Sequence, residues 1–426
     1  MTGERLPLSE AQQGIWVGQQ LDPDSAVFNT AEYSDIRGPV DVDALAAAIR
    51  QVVGEAEAVR VLFAEDKDGP VQLLDRAPAW SVHVADLTDR TDPFATALKW
   101  MTDDLARVVD LAWSPMFAHA VFRLAPDRVI WYHRVHHIAM DGYGLGLFAR
   151  RVTEVYTASV GGQEAPECWF GSLRAVVDED IAYQNSEQCG KDRDHWLAYY
   201  ADRPASVSIA APTAWLPDTV SRREGDLPGS TMDNMAVVAR EAKATWPDAL
   251  IAAVALYLHR MTGATQICLG LPVMSRIGSV AVRVPCLALN VVPVWVTVEP
   301  TASLAELTAQ VAAEIRAGRP HHRYRHERLR RDLRQTERRL FGPSVNIMPF
   351  DYGLTFAGHR AVVRNLAAGL VEDLMINVYD RADGTGRHIT FDANPDRYPD
   401  DQIGTHLLTF LDFLADLAAH PTKPIG

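Results

Sequence analysis

The chain has 426 residues, 48% hydrophobic and 23% charged, which fits a globular protein of two domains or two lobes. Its net charge of −14 at pH 7 argues against nucleic acid as a partner, because phosphate recognition needs a basic footprint. No apolar run reaches membrane-spanning length, and the amino terminus lacks the basic-then-apolar pattern of a secretory signal.

In chain order, Leu45, Ile49, Val52 and Val53 recur at helical spacing behind Asp41 or Asp43 as a cap. Val59 to Phe63 and Val71 to Leu74 read as strands, and Pro93 to Val109 as a helix. Met116 to Leu124 and Arg128 to His136 read as two strands of a hairpin, joined by the turn chemistry of Ala125-Pro126-Asp127. Leu145 to Tyr156 reads as a helix. Ala158 to Pro166, small and Gly-containing, reads as a loop before a crossing between lobes. Ser172 to Ala201 is expected to be helical. Thr245-Trp246-Pro247-Asp248 starts a helix that is apolar nearly all round from Ala249 to Leu258 and so should be buried. Gln266 to Pro272, Leu287 to Val298 and Ser344 to Met348 read as strands, the last ended by Pro349. Ile403 to Leu417 closes the chain as an amphipathic helix with Leu407, Leu411 and Leu414 on one stripe, and His420 to Pro424 reads as the start of a linker. The expected fold class is α/β with helix–sheet layers. A first lobe is expected over residues 1–176 and a second over 177–426. Four scattered cysteines, Cys168, Cys189, Cys268 and Cys286, show no CxxC spacing, so a reducing cytoplasm is the natural compartment.

The chemistry concentrates in His136-His137-Ile138-Ala139-Met140-Asp141-Gly142, where a strand ends and a helix begins. Successive strand side chains point to opposite faces, so His136 and His137 cannot both face one cavity. His137 is assigned to the cleft and His136 to packing or hydrogen bonding. Imidazole, with an ordinary pKa of about 6.5, can act as a neutral base or acceptor for an attacking amine or hydroxyl. No protein nucleophile is then needed. Gly142 would let the chain turn tightly, and Asp141 would be an anchor tied to a cation rather than a second base. A metal site is disfavoured, because adjacent strand histidines diverge and Asp141 alone does not complete a chelating set.

Arg323, Arg325, Arg328, Arg330, Arg331, Arg334, Arg338 and Arg339 crowd one segment, diluted by Glu327, Asp332 and Glu337. A solvated helix with internal ion pairs is the favoured reading. A docking surface for an acidic or phosphate-bearing partner is the sharper one.

His-His-x-x-x-Asp-Gly at a strand-to-helix turn resembles the condensation domains of nonribosomal peptide synthetases. The resemblance covers nearly the whole chain. Leu6 to Trp16 looks like the family's first motif, and Ala58 to Phe63 like its second, although many members have arginine where Leu62 stands. Gly270 to Arg276, Leu287 to Pro293, Arg323 to Glu327 and Ser344 to Ile347 follow in order as later motifs. The resemblance implies two chloramphenicol acetyltransferase-like lobes in a V-shaped pseudo-dimer, with a tunnel at the seam. It implies amide synthesis between a donor acyl or aminoacyl thioester and an acceptor aminoacyl thioester, with His137 positioning the amine or taking its proton. Both groups would arrive on the 4'-phosphopantetheine arms of carrier proteins, with no permanently bound cofactor. It also implies an Asp141–Arg276 pair that keeps two halves in register, and an Asn346 near the active site.

Histidines at both positions 136 and 137 argue against a heterocyclisation domain, and no epimerisation-type motif is found. Ala11 to Trp16 and Asp22 to Ala26 are similar to the group joining an L-donor to an L-acceptor, especially in siderophore-type synthetases. A monomer is expected, with donor and acceptor peptidyl carrier proteins as partners and an adenylation domain following. If Met1 is a native start, the donor comes from a separate protein. Two competing functions are a free-standing acyltransferase that uses coenzyme A thioesters and a non-catalytic scaffold for carriers. The intact histidine motif disfavours the scaffold.

Overall fold

The computed structural model describes residues 4–420 apart from 68, 77, 212–216, 218, 335–338, 349–352 and 381–385. Arg338, the expected strand-ending Pro349 and the linker residues after His420 lie outside the described residues. The fold is α/β. Two compact units divide the chain: Met1–Asn185 with Met274–Leu289 and Tyr352–Gly369, and Ser186–Val273 with Asn290–Asp351 and Leu370–Gly426. A single division at residue 176 places both 274–289 and 352–369 in the second lobe. Their apolar side chains account for the difference: Ala281, Val284, Cys286, Leu354, Phe356 and Ala361 lie in the core of the first unit.

The first unit is built on a six-stranded sheet in the order Thr355–Phe356, His359–Ala368, Asn29–Arg37, Arg128–His136, Phe117–Ala125, His83–Asp86. The hairpin expected from 116 to 136 supplies two of its inner strands. Alternation along Arg128–His136 fills both faces. Val129, Trp131 and Val135 enter a core shared with the helices Val42–Glu55 and Gly142–Val160. Ile130 and Tyr132 pack against Ala97 and Met101 of the helix Pro93–Leu105. A small sheet of Arg5–Pro7, Gly69–Leu73 and Leu62–Asp66 lies in the same unit.

The strand Asn29–Arg37 is not among the expected elements, because its sequence NTAEYSDIR is mostly polar and breaks the apolar alternation that marks a strand. Its polar side chains have partners instead. Glu32 meets His133 at 2.8 Å, Asp35 accepts from Arg128 at 2.8 Å, and the Asn29 amide donates to the Leu105 and Arg107 carbonyls. Satisfied groups of this kind carry little burial penalty. Residues 57–59 form a 3-10 turn and the strand begins at Leu62, later than expected. The helical stretch from 172 is two helices, Leu173–Gln184 and Glu187–Tyr200, because Ser186 leaves the first and caps the Cys189 amide of the second.

The second unit has its own six-stranded sheet, ordered Asn290–Thr297, Gln266–Val273, Ser344–Met348, Leu374–Asp380, Gly386–Ala393, Ser221–Pro228. The helix Trp246–Thr262 opens with a Thr245/Asp248 capping box and ends at Gly263 in the left-handed region. Every residue from Ala249 to Leu258 is buried, as its all-round apolar sequence requires. The arginine-rich segment is organised by local and neighbouring partners: Arg325 with Glu327, Arg193 with Asp332, and Arg328 against the Tyr324 ring. Among the described residues no helix is long and apolar enough to cross a membrane.

Candidate active site

The strand Arg128–His136 stops one residue short of His137, whose amide donates to the Phe28 carbonyl at 2.8 Å. The two imidazoles therefore separate. His136 is 1% exposed, and His137 is only half-buried. His136 Nε2 lies 2.9 Å from the Gln19 side-chain oxygen, and its Nδ1 accepts from the Ile138 amide. Nε2 thus carries the proton. Burial first, then the neighbouring His137 and Arg134 charges, push the His136 pKa down to about 3.

His137 Nδ1 lies 2.9 Å from the Met140 carbonyl oxygen. A carbonyl only accepts, so Nδ1–H donates and the neutral ring keeps its lone pair on Nε2. The turn is clasped from outside by two buried glutamines seven residues apart on the helix Glu10–Leu21. Gln12 donates to the Ile138 carbonyl at 3.3 Å, and Gln19 holds His136. Sequence reasoning missed both. The available signal was a helical spacing of two polar amides on one face, which motif matching overlooks.

Asp141 caps the helix Gly142–Val160 by accepting from the Gly144 amide at 2.9 Å. It also accepts from Arg276 Nη2 at 2.7 and 2.8 Å and from the amides of Ala288 and Leu289 at 2.9 Å each. Burial works to raise its pKa, but the Arg276 charge and the backbone donors outweigh it, so the carboxyl lies below its ordinary range. Arg276 in turn donates to the carbonyls of Ala281, Val284 and Cys286 at 2.6, 3.1 and 2.7 Å, and its guanidinium lies over the Tyr143 ring. Ser275, immediately before it, has φ of +48°, a conformation that non-glycine residues rarely adopt. The expected strand from Leu287 begins only at Asn290, because the preceding amides are turned onto Asp141. Arg276 and Asp141 both belong to the first unit.

Glycine at 142 is not required by the backbone. Its φ lies outside the left-handed region, and an added Cβ meets no heavy atom within 4 Å. The tight glycine is Gly144, where a Cβ would lie 2.5 Å from Met140 Cγ and 2.9 Å from the Cys286 carbonyl oxygen. Gly142→Ala should therefore leave the urea midpoint unchanged or slightly raised, since alanine favours a helix over glycine by about 1 kcal/mol. Gly144→Ala should lower stability by about 1–3 kcal/mol through overpacking. Equal midpoints for the two variants would refute this assignment.

The structure brings His136, His137, Asp141, Gly142 and Arg276 into one unit. Asn346 lies in the other, where its amide donates to Asn377 at 3.0 Å. Asn377 donates onward to Asp392, which Arg222 pairs at 2.7 Å, so Asn346 extends a polar ladder across that sheet.

Burial of neutral histidines makes stability depend on pH. The unfolded chain binds a proton at His136 below about pH 6.5, whereas the folded chain does so only near 3. His119 is likewise held well below its ordinary value, by burial first and then by His133 and Arg134. Stability is therefore fully present above about pH 6.5 and falls as pH drops toward 4.5, by up to about 1.4 kcal/mol per pH unit for each such group. Urea midpoints measured from pH 7.5 to 5 should decline; a flat profile would contradict the buried neutral rings.

An imidazole with one nitrogen pinned to a carbonyl and the other an acceptor in the neutral ring, with no protein nucleophile required, suits acyl transfer to a substrate's own amine or hydroxyl. The chain belongs to the condensation-domain family, whose model matches residues 3–426. It is 49% identical over 99% of its length to the isonitrile lipopeptide synthase of Streptomyces coeruleorubidus, of which it covers 29%. It is 29% identical over 99% of its length to enterobactin synthase component F of Escherichia coli O157:H7, of which it covers 33%. The chain thus spans about a third or less of these relatives. A crystal structure of a mutant starter condensation domain of rhizomide synthetase, in complex with C8-CoA, shares 39% identity. That match covers 99% of this chain and 96% of the other at a TM-score of 0.93. Condensation domains of nonribosomal peptide synthetases form amide bonds by acyl transfer between carrier-bound substrates. They use no permanent cofactor, and their substrates ride on phosphopantetheine arms.

Proposed function

We propose that His137 is the group that acts on the acceptor amine, through Nε2. The observation that carries this reading is the Nδ1 contact with the Met140 carbonyl, which leaves Nε2 as the acceptor. An α-amino group titrates near 7.7–8.0, so the amine needs orientation and a modest proton acceptor rather than a strong base. Attack on the donor thioester carbonyl forms the C–N bond and the amine proton passes to Nε2; the C–S bond then breaks, and the leaving pantetheine thiolate takes that proton, which restores the neutral ring. Holding both substrates together supplies much of the rate. His136, Asp141 and Arg276 keep the turn in shape, and the open space at Gly142 leaves room beside it. Asn346 is assigned to substrate or intermediate binding.

The donor and acceptor ride on separate peptidyl carriers. The domain works as a monomeric unit in the cytoplasm, followed by an adenylation domain, with two lobes of the chloramphenicol acetyltransferase type. An L-donor, L-acceptor domain of a siderophore-type synthetase is the first reading, supported by the similarity to enterobactin synthase component F. A starter domain that takes a fatty acyl donor is the second, supported by the similarity to the isonitrile lipopeptide synthase and to the rhizomide starter domain complexed with C8-CoA. The deciding experiment supplies the chain with an aminoacyl-loaded acceptor carrier and, in parallel, aminoacyl-carrier, octanoyl-carrier or octanoyl-CoA donors. Mass spectrometry then identifies the amide on the acceptor carrier. A dipeptidyl product supports the first reading and an octanoyl-aminoacyl product the second. No amide with any donor sinks both.

A further inference from the structure

Gly369 ends the segment that returns to the first unit, directly after the strand His359–Ala368. That strand lies antiparallel on Asn29–Arg37 with Ala368 opposite Thr30, and Asn29 in turn lies opposite His136. Two steps of backbone pairing thus carry Gly369 to the histidine turn. Its φ is +88°. A Cβ at this position would lie 3.2 Å from His137 Cδ2 and 3.5 Å from Thr30 Cγ2. Cδ2 is the ring carbon bonded to Nε2. The imidazole is therefore fixed at Nδ1 by the Met140 carbonyl, and its Cδ2 edge lies where any side chain at 369 would press on it.

We infer that Gly369 is a positioning residue for His137: its missing side chain fixes where Nε2 points. The inference rests on the reading of His137 given above. A methyl group at 369 pushes the ring by a few tenths of an ångström, either straining the Nδ1 hydrogen bond or tilting Nε2. Displacements approaching 1 Å cost about 10²-fold in rate, so a shift of this size should cost roughly 10-fold.

The chain contains its own control. Gly358 has φ of +89°, nearly the value at Gly369, yet a Cβ there meets no heavy atom within 4 Å. Gly358→Ala imposes a similar left-handed strain without touching the imidazole. The test compares Gly369→Ala, Gly358→Ala and His137→Ala in the carrier-loaded condensation assay, with kcat and KM for the acceptor carrier measured separately. Nitrogen chemical shifts of the histidine rings, with His137 assigned by its absence in His137→Ala, are recorded in parallel. Gly369→Ala is expected to lower kcat about 10-fold at little-changed KM and to shift the His137 resonances; Gly358→Ala should do neither. Equal kcat and unshifted His137 resonances in the two glycine variants overturn the inference. Undiminished activity in His137→Ala sinks the functional reading itself, a different result. If Gly369→Ala does not fold, the double variant with His137→Ala decides. With the ring gone, the 369 methyl has room, and the double variant should fold with the urea midpoint of Gly358→Ala. A double variant that stays unfolded also overturns the inference.

Discussion

Replacing Arg276 by alanine is expected to destabilise the first unit by about 3–5 kcal/mol, the usual cost of stripping one partner from a buried ion pair. Asp141 is 1% exposed and Arg276 0% exposed, so neither charge has water to fall back on. The loss extends beyond the pair, because Arg276 also donates to the carbonyls of Ala281, Val284 and Cys286. Lysine should not rescue: one ammonium cannot serve the carboxylate and three carbonyls held by two guanidinium nitrogens. Asp141→Asn with Arg276→Ala together should cost less than the two singles summed, since the double variant leaves no orphan charge. Urea unfolding of Arg276→Ala, Arg276→Lys, Asp141→Asn and the double variant measures this. An Arg276→Ala midpoint equal to wild type would show that the knot contributes nothing.

The second large effect concerns rate. His137→Ala should lower kcat by about 10²–10⁴-fold, the range for a lost acid–base group, or about 3–5 kcal/mol at the barrier. KM for the loaded carriers should change little, because the ring meets the reacting amine rather than the carrier body. Stability should barely change, since the ring is only half-buried and is held through the Met140 carbonyl. His136→Ala should show the opposite profile, a stability loss from emptying a buried site and orphaning the Gln19 oxygen. Retained kcat in His137→Ala would assign the histidine to packing.

The hairpin, the buried helix and the strand-to-helix turn were legible because hydrophobic alternation, an all-round apolar run and a dense motif are local signals. The divergence of His136 and His137 was expected from strand alternation, but it arises because the strand ends at His136 and His137 already lies in the turn. Three things were not legible. Asn29–Arg37 hides its place in the middle of a sheet behind polar residues whose partners are far away in sequence, such as Glu32 with His133. The clasp by Gln12 and Gln19 is invisible for the same reason: a buried amide is recognised only through what it touches. The return of 274–289 and 352–369 to the first unit leaves no mark at the point where the chain changes direction. The motif also draws the eye to Gly142, but the packing constraint falls two residues later, on Gly144.

The order in which the first unit receives its parts has a consequence for synthesis on the ribosome. Residues 1–185 emerge long before Arg276, and the strand His359–Ala368 arrives later still. Until then the Asp141 carboxylate has no counter-ion, and the long edge of Asn29–Arg37 is open. A nascent chain paused in this interval would present an unpaired sheet edge, a ready template for intermolecular pairing. Chaperone demand should peak there. A gene split near residue 176 should yield an N-terminal fragment that aggregates unless the remainder is co-expressed.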